Sequence, residues 1–472
     1  MNLQLAVLVT YAALLMGFGL WAGRRSRTAG DFFVAGRRLG PLLLFSTILA
    51  SNIGAGSTVN AAALGYRDGL SAWWWVGSAG LGSIVLALWI GPHIRRIAAR
   101  HRLETVGDYL EYRYGPAVRA AVAALLWVGT LAILAGQLLA IGWVLNVVTG
   151  MDRWAGCVLG GLVVTVYFTA GGLLTAAWVN AVQLAVLLAG FAVVLPLALG
   201  EAGGVGQVMA ATSDLEGYWN PWQGGGSGWF YVAMLGPAFI VSPGLLQKVY
   251  GARDDAAVRL GGGLNAAALL LFAAGPVLLG MIARSVHPGL ANQDLALPIL
   301  LMETVPPVVG ALGLAALFSA EVSSADVILF MLATSLSRDL YKRFVRPAAS
   351  AAEVLRVARL AAVAGGVLGT ALAVAAGSIA GVLTFFYTLL SVSLFVPVIA
   401  GLYWRRAGAA EALGAMAGGV ALATLVQVAT GGAGFAGMTP AMWGLGGSAL
   451  GAGAAAVVRL RQPPTATAPR SS

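Results

Sequence analysis

An all-α protein crossing a membrane many times is the fold class predicted by this 472-residue sequence. Three observations predict it. Residues are 59% hydrophobic and only 10% charged, a balance that a soluble domain does not show. Apolar stretches long enough to cross about 30 Å of hydrocarbon as helix recur almost end to end. The cations between them avoid every second gap. Helices are the default in hydrocarbon because each backbone N–H and C=O must find its partner within the segment.

The apolar stretches number thirteen: 3–22, 40–65, 70–94, 117–148, 154–171, 175–199, 229–248, 260–283, 307–335, 357–377, 379–403, 409–430 and 440–458. The fifth is short and its junction with the sixth is weak, which makes twelve the alternative count. Charge decides between them. Of the 28 Lys and Arg, 25 fall in gaps one, three, seven, nine and eleven or in the tail, and only Arg67, Arg153 and Arg284 fall on the other side. The positive-inside rule assigns the rich side to the cytoplasm, so the N-terminus is outside and the C-terminus inside a plasma (inner) membrane. An even number of helices would break this alternation.

The net charge of +10 is thus a topology signal. Its arginines are scattered over six short segments rather than one face, so nucleic acid is not an expected partner. Contact with anionic lipid headgroups is expected. Cys157 is the single cysteine, and His93, His101 and His287 are scattered, so neither a disulfide framework nor a zinc site is expected. No clustered nucleophile, base or metal set suggests an enzyme. Span one lacks a basic start and a small-residue cleavage site and reads as a retained helix. Residues 1–461 form one transmembrane domain, and the Pro- and Thr-rich tail 462–472 reads as disordered and cytoplasmic. The loop at 200–228, with Tyr218, Trp219 and Trp222, reads as an interfacial segment with aromatic anchors, a cap over an outer vestibule being the other reading. Of Trp73, Trp74 and Trp75, at least one must point into the bundle.

Chemistry concentrates where the apolar spans are interrupted. Span two carries Ser51-Asn52-Ile53-Gly54-Ala55-Gly56-Ser57-Thr58 at its centre, and span seven carries Gly236-Pro237 and Ser242-Pro243-Gly244. Proline removes a backbone donor and clashes with the preceding turn. Two interrupted spans five helices apart are the mark of discontinuous-helix transporters, whose solute and ion sites lie between inverted repeats near the midplane. The repeats here would be spans 2–6 and 7–11, about 40–199 and 229–403. Span nine adds Ala320-Glu321-Val322-Ser323-Ser324-Ala325-Asp326. Ala320, Ser323 and Ser324 share a helix face. Two hydroxyls with freed carbonyls make a hard-oxygen set suited to Na⁺. Glu321 and Asp326 are intramembrane acids, which default to a functional reading. Asp326 lies off the hydroxyl face and is expected to pair with a helix neighbour, while Glu321 is placed to tune the ion site.

These residues resemble a known family. Tyr167-Phe168-Thr169-Ala170-Gly171-Gly172-Leu173, continuing to Trp178, Asn180 and Gln183, is similar to the paired-glycine and W-x-D-x-x-Q segment of the sodium/solute symporters. So are Ala320-x-x-Ser323-Ser324 with Arg338-Asp339-Leu340-Tyr341-Lys342, Thr105 to Leu110 with Arg113, Gln247-Lys248, and Tyr403 to Ala407. The resemblance covers nearly the whole chain. It implies a LeuT-type fold of thirteen helices with a 5+5 inverted-repeat core. It also implies Na⁺-coupled import of a small polar organic solute by alternating access, with no other cofactor, by a protein functional as a monomer. Carried over residue by residue, it places Na⁺ on Ala50, Ile53, Ala320, Ser323 and Ser324. The solute would lie near Asn52, Gly54, Ser57 and Ser242, with Trp75, Ser78 and Tyr387 at the wall or gate. Asn180 stands where the family often has an aspartate, which puts a second cation site in doubt. The pocket shows neither an obvious Lys or Arg nor a dense Asn, Gln or Glu set. A sensory membrane module and a proton-coupled transporter are the alternative readings.

Overall fold

The computed structural model describes residues 3–23, 37–171 and 173–461. The tail 462–472 and the cations Arg24, Arg25 and Arg27 lie outside the described residues. The described residues are mostly helical. Among the described residues, ten helical stretches are long and apolar enough to cross a membrane, and Leu3–Leu14, Pro41–Asn52 and Arg153–Val166 are shorter apolar helices. Strand among the described residues is limited to a hairpin of two two-residue strands, Gln223–Gly224 with Ser227–Gly228.

Helix α1 (Leu3–Gly23) precedes a helix in two pieces, α2 (Pro41–Asn52) and α3 (Val59–Asp68). Residues 53–58 between them are not helical. A 3₁₀ turn, Gly69–Ala72, follows, with Gly69 at φ 76°, a backbone conformation natural to glycine. Then come α4 (Trp73–Val85) and α5 (Gly91–His101), joined through a wide turn at Leu86–Ile90. The short α6 (Val106–Tyr114) starts on a capping box in which Thr105 and Asp108 satisfy each other's backbone N–H groups. Three long helices follow: α7 (Pro116–Thr149), α8 (Arg153–Gly171) and α9 (Leu173–Glu201). The weak junction read between spans five and six falls at residue 172, outside the described residues.

After the short α10 (Val205–Ala211), a second divided helix appears as α11 (Tyr231–Val241) and α12 (Pro243–Tyr250). Ser242 is the joint, with Pro243 opening α12 where its missing N–H does no harm. Next are α13 (Asp255–Phe272), α14 (Ala274–Val286) and a small α15 (Ala296–Ile299) continued by the wide turn Leu300–Thr304. Helix α16 (Pro307–Thr334) ends in a π-helical stretch, Ser335–Val345. The last four are α17 (Ala351–Ala375), α18 (Ile379–Tyr403), α19 (Ala409–Thr430) and α20 (Pro440–Arg461).

Small residues set the helix spacing, as expected where apolar tails cannot drive association. A Cβ on Gly280 would stand 2.0 Å from Ala62 O, and one on Gly65 would stand 2.4 Å from Val277 O, so α3 and α14 touch backbone to backbone. The hairpin of the 200–228 loop is pinned onto the end of α3: Ser227 Oγ donates to Asp68 Oδ2 at 2.5 Å and Gly226 N–H to Asp68 Oδ1 at 3.1 Å. Trp222 and Trp229 stay more than half exposed, so the loop both covers α3 and presents aromatic rings outward. Of the three consecutive tryptophans, Trp75 is the buried one, edge-on to Tyr231 and Tyr387.

The cation-rich gaps, scattered along the sequence and not expected to share a face, are tied to one another in space on one side of the bundle, its basic face. Arg37 Nη2 donates to Leu103 O at 2.9 Å, Arg95 Nε to Asp255 at 2.7 Å, and Arg113 Nη2 to Trp404 O at 2.8 Å. Arg343 pairs with Glu111, and Arg459 with Glu411. On this face the beginnings of α2 and the end of α12 are also stitched together. Leu39 N–H donates to Gly251 O and Arg253 N–H to Leu39 O, each at 3.1 Å, and Arg37 Nη1 reaches Tyr250 O at 3.4 Å. One level deeper, Lys248 donates to Ser51 Oγ.

Candidate functional site

The break in the first divided helix is built by its own sequence. Gly54 N–H donates to Ser57 Oγ at 3.0 Å, and Ala55 N–H donates to Gln137 Oε1 of α7 at 2.8 Å. Both donors would otherwise be buried and unpaired, a loss of about 1–3 kcal/mol each. Gly54 is required by space: a Cβ there would stand 2.3 Å from Ser324 Oγ and 2.7 Å from Gln137 Oε1. Thr58 Oγ1 lies 2.8 Å from Gly54 O and donates to Glu321 Oε1 at 2.8 Å. The broken segment is thus held from one side by α7 and from the other by α16.

Against this break sits the hydroxyl pair. Ser324 Oγ donates to Ile53 O at 2.9 Å, and Ser323 Oγ donates to Ala320 O at 3.0 Å. Ile53, Ala320, Ser323 and Ser324 are all buried, as is Ala50 in the last turn of α2. The five residues expected to hold Na⁺ are therefore the end of α2, the first residue of the break and one stretch of α16, with a direct contact between the two elements.

A cavity opens beside the break. Its lining includes Asn52, Gly54, Ser57, Trp75, Ser242 and Tyr387, six of the seven residues expected around the solute. The seventh, Ser78, is buried and does not line it. Ser324 faces the cavity, while Ser323, Glu321 and Asp326 do not. Glu321 is wholly buried against Thr58, with its second oxygen free of hydrogen bonds. The expected pairing of Asp326 is not met: both carboxylate oxygens are buried without a hydrogen-bond partner among the described residues. It stands two residues beyond Ser324, about 200° round α16 from the hydroxyl that meets the break. The side chain of Asn180 lies outside the described residues.

Polar residues that the spacing of motifs did not single out complete the site. Gln137 lines the cavity and holds the break. Asn265 Oδ1 accepts from Asn52 Nδ2 at 3.1 Å, which fixes the Asn52 amide. Lys248, on α12, reaches Ser51 on the cavity wall, so a cation stands closer to the pocket than the sequence suggested. Gln137 and Asn265 are lone polar residues in apolar runs, which is the signal that could have found them, whereas Lys248 is marked in the sequence only by the Gln247-Lys248 motif and as a gap cation.

A polytopic helical bundle with two broken helices meeting a hydroxyl-bearing third is the class of protein that this fold and site define. The sodium:solute symporter family model matches residues 32–421, and the chain belongs to that family. It is 27% identical over 445 residues to the sodium/pantothenate symporter of Escherichia coli, covering 89% of this chain and 90% of that protein. It is 26% identical over 419 residues to the high-affinity choline transporter 1 of Drosophila melanogaster, covering 84% of this chain and 66% of that longer protein. A solved Na⁺-coupled sialic acid symporter in a substrate-bound outward-open state superposes with a TM-score of 0.76 at 18% identity, covering 96% of this chain and 97% of that one, which shows a shared fold. These relatives are transporters, not enzymes.

Proposed function

We propose that this protein is a sodium-coupled symporter that imports a small polar organic solute by alternating access. The observation that carries the reading is the Ser324–Ile53 contact, which brings a hydroxyl of α16 onto a freed carbonyl of the broken helix. In this reading Na⁺ is held by the oxygens of Ala50, Ile53, Ala320, Ser323 and Ser324. The two hydroxyls already donate to two of the three carbonyls, so a cation entering there meets converged lone pairs once those protons rotate away. Hard oxygen donors suit a hard alkali cation.

The solute sits in the adjoining cavity between Asn52, Gly54, Ser57 and Ser242, with Trp75 and Tyr387 as its aromatic wall. The ion bridges the break and α16 and thereby stabilises the conformation that binds solute. Sodium can shift that equilibrium only by its differential affinity for the two conformations. One charge moving inward gains roughly 2.3 kcal/mol per 100 mV. A tenfold gradient adds about 1.4 kcal/mol. Their sum of about 4 kcal/mol supports roughly thousandfold accumulation with one ion.

Thirteen membrane helices with a 5+5 inverted-repeat core of the LeuT type belong to the same proposal. The element order supports it. Each divided helix is followed by a helix, a short helical segment (Val106–Tyr114 and then Ala296–Thr304), a long helix and two more. The basic face is cytoplasmic, the N-terminus is outside, and the protein acts as a monomer in the plasma membrane.

Replacing both hydroxyls, Ser323→Ala with Ser324→Ala, abolishes sodium-stimulated uptake into proteoliposomes while leaving expression unchanged. Undiminished uptake removes this ion site. A thermal-shift screen of purified protein against metabolites, with and without Na⁺, identifies the solute by stabilisation that requires the ion.

A further inference from the structure

Two further cavities continue the central one toward the basic face. The first is lined by Thr130, Pro243, Gln247, Thr334 and Ser335 among others, and it shares Met331 with the central cavity. Met331 stands at their common wall, its Sδ 3.2 Å from where a Cβ on Gly244 would stand. The second opens among Arg102, Arg338 and Lys342 and shares Thr105 with the first.

An ion pair stands at that second junction. Asp339 lines one cavity and Arg119 the other. Arg119 Nη2 is 2.5 Å from Asp339 Oδ1, and Thr105 Oγ1 donates to the same oxygen at 3.1 Å. Arg119 also holds Asp108 at 2.9 Å and Glu111 at 2.8 Å. Releasing Asp339 would leave Arg119 with two carboxylates, so the guanidinium is not stranded. Breaking an ordinary buried pair strands a charge at a cost of several kcal/mol.

The first cavity also carries polar groups without partners. The hydroxyls of Thr334 and Ser335 are buried with no hydrogen bond, and Thr334 is only 5% exposed. Buried hydroxyls facing a void are satisfied by water or by a polar passenger. Ser335 and Asp339 lie on the π-helical end of α16, a local widening of the kind that recurs at functional sites.

Building on the symport reading above, we propose that solute and sodium leave the central site along this line, past Met331, and that the Arg119–Asp339 pair is the barrier closing it toward the cytoplasm. Both are positioning residues that act on passage, not on binding in the central cavity.

The chain suits a thiol-accessibility test because Cys157 is its single cysteine. In a Cys157→Ala background, Thr334→Cys is reconstituted in oriented vesicles and exposed to a charged, membrane-impermeant methanethiosulfonate. The expected result is labelling from the cytoplasmic side only, slowed about tenfold by saturating Na⁺ relative to K⁺. Adding Asp339→Asn restores fast labelling in Na⁺. Gln247→Cys serves as a second reporter should Thr334→Cys fold poorly. Labelling from the outside only, or an Asp339→Asn rate in Na⁺ equal to that of its parent, overturns the proposal. The symport reading fails separately, through the absence of sodium-stimulated uptake in the parent chain.

Discussion

Gly54→Ala is the smallest change that tests the ion site through geometry alone. The added methyl carbon would stand 2.3 Å from Ser324 Oγ and 2.7 Å from Ser324 Cβ, where ordinary contact begins near 3.4 Å. Either α16 or the broken segment must therefore yield by about 1 Å, more than close-packed helices absorb freely. Overpacking of this kind costs about 1–3 kcal/mol. The strain falls on the two elements that the Ser324–Ile53 hydrogen bond joins, so it acts on the sodium-bound conformation. A loss of 1–3 kcal/mol there raises the half-saturating Na⁺ concentration by roughly 5- to 150-fold. Sodium titration of uptake in proteoliposomes measures it, with thermal unfolding as the control for stability. Adding Ser324→Gly removes two of the three clashing atoms, leaving Gln137 Oε1, so it recovers part of the thermal stability and leaves sodium dependence impaired. A Gly54→Ala protein with unaltered sodium affinity would refute the close approach of break and α16.

Gln137→Ala leaves the Ala55 N–H buried without its acceptor, a loss of about 1–3 kcal/mol that appears as weaker solute and sodium binding in the same uptake assay. Thr105→Ala removes the cap of α6 and lowers stability by about 1 kcal/mol, read as an earlier unfolding midpoint. Glu111 responds to acid. Burial raises its carboxyl, but hydrogen bonds from Arg343 and Arg119 outweigh this and hold it below the usual carboxylate range. Its contribution is thus present above the ordinary carboxylate pKa and is lost as pH falls through the lowered value. Thermal midpoints of wild type and Glu111→Gln converge in that acid window.

What could be read in advance was whatever leaves a mark along the chain. The break at Gly54 was legible because polar and small residues in an apolar run have few other uses; the spacing of Ser323 and Ser324 suggested one face, but only Ser324 lines the cavity. Short helices were less so. Val106–Tyr114 fell inside a gap, although its Thr105–Asp108 box was readable, and Ala296–Ile299 is too short for any period to show. Partners across helices left no mark at all. Nothing near Asn52 announces Asn265, 213 positions away, nor does Ser51 announce Lys248, 197 positions away. Asp326 shows the opposite failure: an acid expected to be paired has no protein partner among the described residues, because the chain gives its height on a helix but not its neighbours.

The stitching of Leu39 to Gly251 and Arg253 bears on how such a machine flexes. Each divided helix has a hinge of its own at mid-depth, which would let the two lower segments swing independently. Prising them apart would forfeit two main-chain hydrogen bonds, the Arg37 clasp and the Lys248 strut together. Carrying them together forfeits none, so on the basic side the two half-helices are fastened to each other as one unit.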